Sequence, residues 1–398
     1  MSLNQLSIAA ESLFSTLSGQ QDGRSALAQA ALSKGADRAL AGDLNGAILD
    51  FKRAAALDTN PDAATQAYDL LASVYLRQGQ SADAIAAYRI AVRISPTNAD
   101  VRLKLGNVYF SDARYAEAAV QYQAAHRVDP SSATAELALG QVAMATGKLT
   151  EAEGWFRQVV GMNPGHYGGY YALGQAYAKA GKRDEAVLMF ERTLTLKWDF
   201  TSAYVDLGSV YVDQGRWDEA ARVLTTLQSR DPALATVLQG YIEQHEPPAI
   251  SGAYSGGGFP TTFGPGTPVA TLGGGLATPA ATQVFGLEVV FSKAMDPQSV
   301  MNPANWSISR APSAGPGLGY NWGRPLPASE AVVLPLPQGV TYDTESNVAT
   351  VYFQVRQNAT ADATLDPRHL CFRFRGVDAY GNAMRPAADE FSGATFVA

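Results

Sequence analysis

Glycine recurs in this chain at a step that an ordinary globular core does not require. Gly106, Gly140, Gly174 and Gly208 stand 34 residues apart, Gly35 keeps the same register upstream, and Gly147, Gly181 and Gly215 repeat the step in a second series. Self-similarity at this period marks a helical repeat array, in which each unit buries its apolar face only by stacking on its neighbours. Six units follow, at about 28–61, 65–98, 99–132, 133–166, 167–200 and 201–234.

Within a unit the residue types follow one order. Tyr68, Leu71, Ala72, Tyr75, Gly79, Ala84, Tyr88, Ala91 and Pro96 show it in the second unit. Small residues such as Gly140 and Ala152 let two helices approach, while Tyr109, Tyr122, Phe156, Tyr177 and Phe190 fill the space they leave. Pro96, Pro130, Pro164 and Pro232 end the second helix of their units, because proline cannot continue one. This pattern resembles the tetratricopeptide repeat. Departures are local: Trp198 replaces the closing proline of the fifth unit, Leu224 and Leu227 replace the aromatic and the alanine of the sixth, and the first unit carries an insertion near Asn60.

The resemblance implies that the first helix of each unit lines a concave groove with its second, fifth, ninth and twelfth positions. The ninth positions are Ser73, Asn107, Gln141, Gln175 and Ser209, a ladder of hydroxyls and amides. Fifth and twelfth positions supply Leu103, Phe110, Leu137, Met144, Tyr171, Val205 and Val212. Asp69 and Asp100 are the charges expected along this face, with no Lys or Arg to clamp a carboxylate terminus. Such a groove suits an apolar helix or a neutral extended peptide, its amides satisfying backbone groups of the guest. The alternative for the apolar members is packing between neighbouring repeats.

Upstream, Leu3, Leu6, Ala10, Leu13 and Leu17, with Phe14 beside them, recur in steps of three and four and predict an amphipathic helix that Gly19, Asp22 and Gly23 break. Either it caps the first repeat, or it docks into the groove of another copy and builds a head-to-tail assembly.

Beyond His245 the composition changes: 14 of the 21 prolines follow residue 250, and Lys293 is the one lysine there. Residues 247–282, with Gly256-Gly257-Gly258 and Gly273-Gly274-Gly275, read as a Gly/Pro-rich linker or an arm that orders on binding. From Val284 the apolar residues alternate: Phe285, Leu287, Val289 and Phe291 share one strand face, followed by Trp306 and Ile308, Val348 to Val355, and Leu370 to Val377. Alternation between turn signals predicts an antiparallel sandwich. Phe291-Ser292-Lys293-Ala294-Met295-Asp296, Asn305-Trp306-Ser307-Ile308 and the closing Gly376-Val377-Asp378-Ala379-Tyr380-Gly381-Asn382 resemble the bacterial Ig-like domain of surface-layer and other cell-envelope proteins. That resemblance implies an envelope or extracellular setting. Asp378 and Asn382 suit a tight turn, or else an oxygen-ligand cation site.

Composition removes several function classes. Thirty basic against 37 acidic residues give a net charge of −7, which offers nothing to a phosphate backbone, so no nucleic acid is expected. One cysteine, Cys371, and four histidines supply neither a disulfide nor a zinc site, and His126, His166 and His245 fall in no catalytic constellation. No apolar run is long enough for membrane insertion. We therefore expect no catalytic residues, no metal and no cofactor. The fold class expected is multidomain: an amphipathic cap helix (1–24), an all-α superhelical solenoid (25–246), a linker (247–282) and an all-β Ig-like sandwich (283–398). The function expected is a protein–protein interaction scaffold whose partner is a protein or peptide, with the sandwich presenting or anchoring it. The alternative is a structural subunit that assembles with copies of itself into a filament or surface layer.

Overall fold

The computed structural model describes residues 3–57, 60–259, 266–310, 329, 331–365 and 370–392, the side chains of 3–19, 257, 310 and 392 excepted. It divides into two compact units, Met1–Gln214 with Ala221–Ala235, and Gly215–Ala220 with Thr236–Ala398.

The first unit is built of paired helices. α1 (Leu3–Leu40) pairs with α2 (Leu44–Leu57), α3 (Pro61–Arg77) with α4 (Ser81–Ile94), and α5 (Ala99–Ser111) with α6 (Tyr115–Val128). α7 (Ala133–Ala145) pairs with α8 (Leu149–Met162), and α9 (Tyr167–Lys179) with α10 (Arg183–Leu196). α11 (Thr201–Asp213), α12 (Trp217–Arg230) and α13 (Pro232–His245) follow. α1 runs through Gly19, Asp22 and Gly23, where the sequence predicts a break. A glycine inside a helix costs only about 1 kcal/mol, so without a capping turn it does not end one.

Four of the units are closed by one glycine under one aromatic ring, while the second has Ala72 opposite Tyr88 and the sixth has Leu224 in place of the ring. A Cβ on Gly35 would stand 2.7 Å from the Phe51 ring, and one on Gly174 would stand 2.7 Å from Phe190. At Gly106 against Tyr122 and Gly140 against Phe156 the fit is closer still. The rings are fully buried and have nowhere to retreat. A second glycine series makes the turn between the paired helices: Gly42, Gly79, Gly147, Gly181 and Gly215 have φ of 85°, 74°, 77°, 74° and 71°, a region that costs other residues strain. In the third unit Ala113 takes this place at φ 57°. The first helices are capped from the last residue of the preceding unit: Asn98 Oδ1 accepts from Val101 N, Ser132 Oγ from Ala135 N and His166 Nδ1 from Gly169 N.

The second unit carries ten strands among the described residues. β1 (Ile250–Gly257), β3 (Thr282–Phe291) and β7 (Val348–Arg356) are neighbours in one antiparallel sheet, and β5 (Val332–Val333) and β6 (Gly339–Asp343) both lie beside β7. β4 (Trp306–Arg310), β9 (Leu370–Phe374) and β10 (Glu390–Ser392) form another, and β2 (Thr267–Pro268) pairs with β8 (Thr364–Leu365). Phe285, Leu287, Val289 and Phe291 point inward as their alternation predicts, the first three opposite Phe353, Val351 and Ala349. Rings from the two larger sheets meet in one core, with Phe353 and Phe372 centroids 5.1 Å apart and Phe291 and Phe374 5.2 Å apart.

Two expected boundaries change. The described residues of 247–282 do not form a separate spacer: β1 pairs with β3 from Ile250–Phe291 to Gly257–Gly286, and Phe259, Val269, Leu272 and Leu276 are buried in the β-rich core. Proline and glycine there report irregular backbone, not exposure; Gly273, for example, leaves room for the Gln283 side chain. The compact array also ends before residue 246, because Thr236–His245 of α13 goes with the second unit.

Candidate functional site

The twelve candidate groove residues lie on α3, α5, α7, α9 and α11, the first helices of successive units. Ser73, Asn107 and Gln141 are exposed; Asp69, Leu103, Phe110, Leu137, Met144, Tyr171, Gln175, Val205 and Ser209 are half-buried. None is fully buried, whereas Leu105, Leu139, Leu173 and Leu207 on the same helices are. Val212 is the exception among the positions carried over from the resemblance, for it sits in the core at 3% exposure and leaves the groove face.

The polar ladder is partly spent on the fold. Ser73 and Ser209 donate to carbonyls of their own helices, at Leu70 and Val205, and Asn107 Oδ1 accepts from Tyr122 OH at 2.7 Å. Gln175 Nε2 donates to Asp206 Oδ2 at 3.0 Å. Asp206 also bonds the Tyr171 hydroxyl, whose pKa is raised by burial and then by this carboxylate. Gln141 alone in the ladder has no hydrogen-bond partner among the described residues. It stands between Leu137 and Met144 on α7, and the exposed Lys179 donates its ammonium to the Met144 carbonyl at 3.1 Å.

The other end of the face corrects the sequence reading. Lys104 bridges Asp69 Oδ2 at 2.8 Å and Asp100 Oδ2 at 2.9 Å, tying α3 to α5. Burial opposes its charge, and the two carboxylates more than offset that, holding its pKa above the usual lysine value. Tyr88, behind Asp69, is pushed up to about 12, chiefly by burial. The groove thus contains a lysine, but one already neutralised by two aspartates. Lys104 occupies the sixth position of its unit, outside the four groove positions, so the sequence reading missed it; its i,i+4 spacing from Asp100 is the one local signal of its place on this face.

The candidate assembly residues Leu3, Leu6, Leu13, Phe14 and Leu17 have their backbone in α1, and their side chains lie outside the described residues. Among the described residues no three His, Cys, Asp or Glu side chains are grouped to hold a metal ion. Where the turn at Asp378 offered oxygen ligands, the ammonium of Lys293 stands 2.7 Å from Asp378 Oδ2, and the carboxylate also accepts from Tyr380 N and from Asn382 N and Nδ2. Cys371 is buried, and its thiol is pushed up to about 11, mainly by that burial, which is the reverse of an activated nucleophile. His369 lies outside the described residues. No described helix is long and apolar enough to cross a membrane.

Among curated proteins, none matches this chain. Solved structures resemble it in part. MamA is 25% identical, over 43% of this chain and 95% of that one, with a TM-score of 0.37. PilF of Pseudomonas aeruginosa is 18% identical, over 55% and 99%, with a TM-score of 0.45. YrrB, described as a TPR protein with an unusual peptide-binding site, is 21% identical over 44% and 91%, with a TM-score of 0.36. Family models for the tetratricopeptide repeat match residues 72–112, 103–167, 171–235 and 205–243, and none of them falls on the sheets. Proteins with these repeats generally mediate protein–protein interactions through the extended surfaces their stacked helices create. The helix pairs within residues 72–243 thus match the tetratricopeptide repeat and stack as a helical solenoid.

Proposed function

We propose that the chain is a non-enzymatic interaction scaffold whose first-helix face holds a segment of another protein, an apolar helix or a neutral extended stretch. The observation that carries this reading is the exposure pattern. Leu103, Phe110, Leu137, Met144, Tyr171 and Val205 keep accessible surface instead of being consumed between repeats, and Gln141 keeps its amide free. A guest anchored on the apolar members buries them further, at about 25 cal/mol for each Å² removed from water, while the amide satisfies its backbone. Charge contributes little, since Lys104 is engaged by Asp69 and Asp100. The β-rich unit presents or anchors this groove at a bacterial envelope; support for that part is the resemblance of the blocks at Phe291 and Gly376 to the Ig-like domains of envelope proteins.

The test is selection of a displayed random-peptide library on the full chain and on Leu137→Glu and Met144→Glu variants of unchanged melting temperature. Selected peptides should carry apolar anchors with little net charge and bind the variants at least tenfold more weakly. Equal binding by the variants, or selection of strongly charged peptides, overturns the reading.

A further inference from the structure

The face of the larger sheet turned away from the core is not an ordinary solvated surface. Register places Tyr254 of β1, Glu288 of β3, Thr350 of β7 and Thr341 of β6 in one row across four strands. At one end of this row, Asp343 and Ser346 complete a cavity of about 320 Å³, within the range of small-ligand sites. The row on the other side holds Tyr352, whose cross-strand neighbours are Gly286 and Gly339. No side chain walls in that ring from either strand. Tyr254 and Tyr352 are 40% and 38% exposed, and sheet spacings put their Cα atoms about 12 Å apart.

We propose that this face binds an uncharged saccharide chain, laid across the strands with sugar rings on Tyr254 and Tyr352 and hydroxyls in the cavity between β1 and β6. The chemistry selects that class. No lysine or arginine lines the cavity, so its two carboxylates repel an anion. An apolar ligand would strip water from Glu288, Asp343, Thr341 and Thr350 without replacing the hydrogen bonds that water makes to them. A polyol instead donates to the carboxylates in charge-assisted hydrogen bonds and exchanges bonds with Thr341 and Thr350. The acceptors are held in place beforehand: Glu288 takes the Tyr254 hydroxyl, and Asp343 takes Ser346 Oγ at 2.6 Å and Glu345 N at 3.0 Å. Gly256 is required beside them, because a Cβ there would collide with the Glu288 carboxyl group. Exposed tyrosines supply flat apolar area at small entropic cost.

The experiment is native gel electrophoresis of the full chain through gels containing, in turn, hydroxyethylcellulose, xylan, laminarin or soluble starch, followed by calorimetric titration with the matching oligosaccharide. At least one polymer should retard the protein, with little dependence on salt. Tyr254→Ala and Tyr352→Ala should each weaken binding tenfold or more, and Glu288→Gln several-fold, at unchanged melting temperature. Migration unaffected by all four polymers, or retardation that both tyrosine variants retain, overturns the proposal. Loss of peptide binding in the Leu137→Glu variant should leave saccharide binding untouched.

Discussion

The ammonium of Lys293 lies 2.7 Å from Asp378 Oδ2, and the Asp378 side chain is wholly shielded from water. Lys293 also donates to the backbone carbonyls of Glu243 and Glu246, where α13 ends, and Asn382 Nδ2 donates to the carbonyl of Gln244. One ion pair therefore serves both the closing turn of the β-rich unit and the helix end beside it, where a cation suits the helix dipole.

Removing one partner of this pair leaves a buried charge uncompensated, and Lys293→Met should destabilise the second unit by about 3–5 kcal/mol in denaturant titration. Lys293→Met with Asp378→Asn should recover most of that loss. The pair also fixes a pH response. Burial works to raise the Asp378 pKa, and Lys293 with the turn donors more than offset it, so the carboxyl sits below its usual range. Its stabilisation is therefore present above about pH 4 and lost as pH falls through the depressed value. In the Lys293→Met variant, which keeps only the turn donors, that acid-side loss should shrink in the melting curves.

Glu136 on α7 behaves in the opposite sense. It is 0% exposed, neither carboxylate oxygen has a hydrogen-bond partner, and burial raises its pKa despite nearby His126. A carboxyl whose pKa the fold raises costs stability as it ionises, so its penalty grows as pH rises above about 4.3 through the raised value. Glu136→Leu should stabilise the array by about 1–3 kcal/mol at pH 8 and have little effect at pH 4, as read from paired melts.

Ala113 holds a left-handed turn that five other units give to glycine, and Ala113 N donates to Phe110 O as Gly147 N donates to Met144 O. An L-residue pays about 1–2 kcal/mol for that conformation, of which glycine's greater unfolded freedom returns part. Ala113→Gly should raise stability by about 0.5–1 kcal/mol, and Gly147→Ala should lower it by at least as much. Opposite signs in chemical denaturation are the check.

Gly140 under Phe156 is the tightest kind of closure in the array, and Phe156 is 0% exposed. Gly140→Ala should destabilise by about 1–3 kcal/mol through overpacking. Gly140→Ala with Phe156→Leu should cost less than the two single changes summed, which a double-mutant cycle measures.

What the sequence made legible is what repeats or alternates. Gly106, Gly140 and Gly174 announce the array because each meets its aromatic sixteen residues later, a local rule that Gly35 and Phe51 also obey. Phe285 to Phe291 announce a strand because a sheet with one buried face leaves a period of two. Contacts set by distant partners left no such trace. Ile250–Gly257 looks like linker until β3 is there to pair with it. Lys104 misses the groove positions by one residue, and its role appears only once Asp69 on the preceding first helix is beside it. Glu136 occupies a position that Tyr68, Arg102, Tyr170 and Tyr204 fill in other units, and nothing local marks it as an unpartnered acid.

The glycine–aromatic closures also set an order in time. Each is satisfied within a single unit, so a helix pair can dock soon after its residues leave the ribosome, and the array can grow from the amino-terminal end. The sheets must wait, since Thr282 has no partner until Arg356 has been made. During synthesis β1 and β3 therefore stand finished but unpaired with β7, and that interval is when this chain is most open to chaperones or to mispairing with a neighbour.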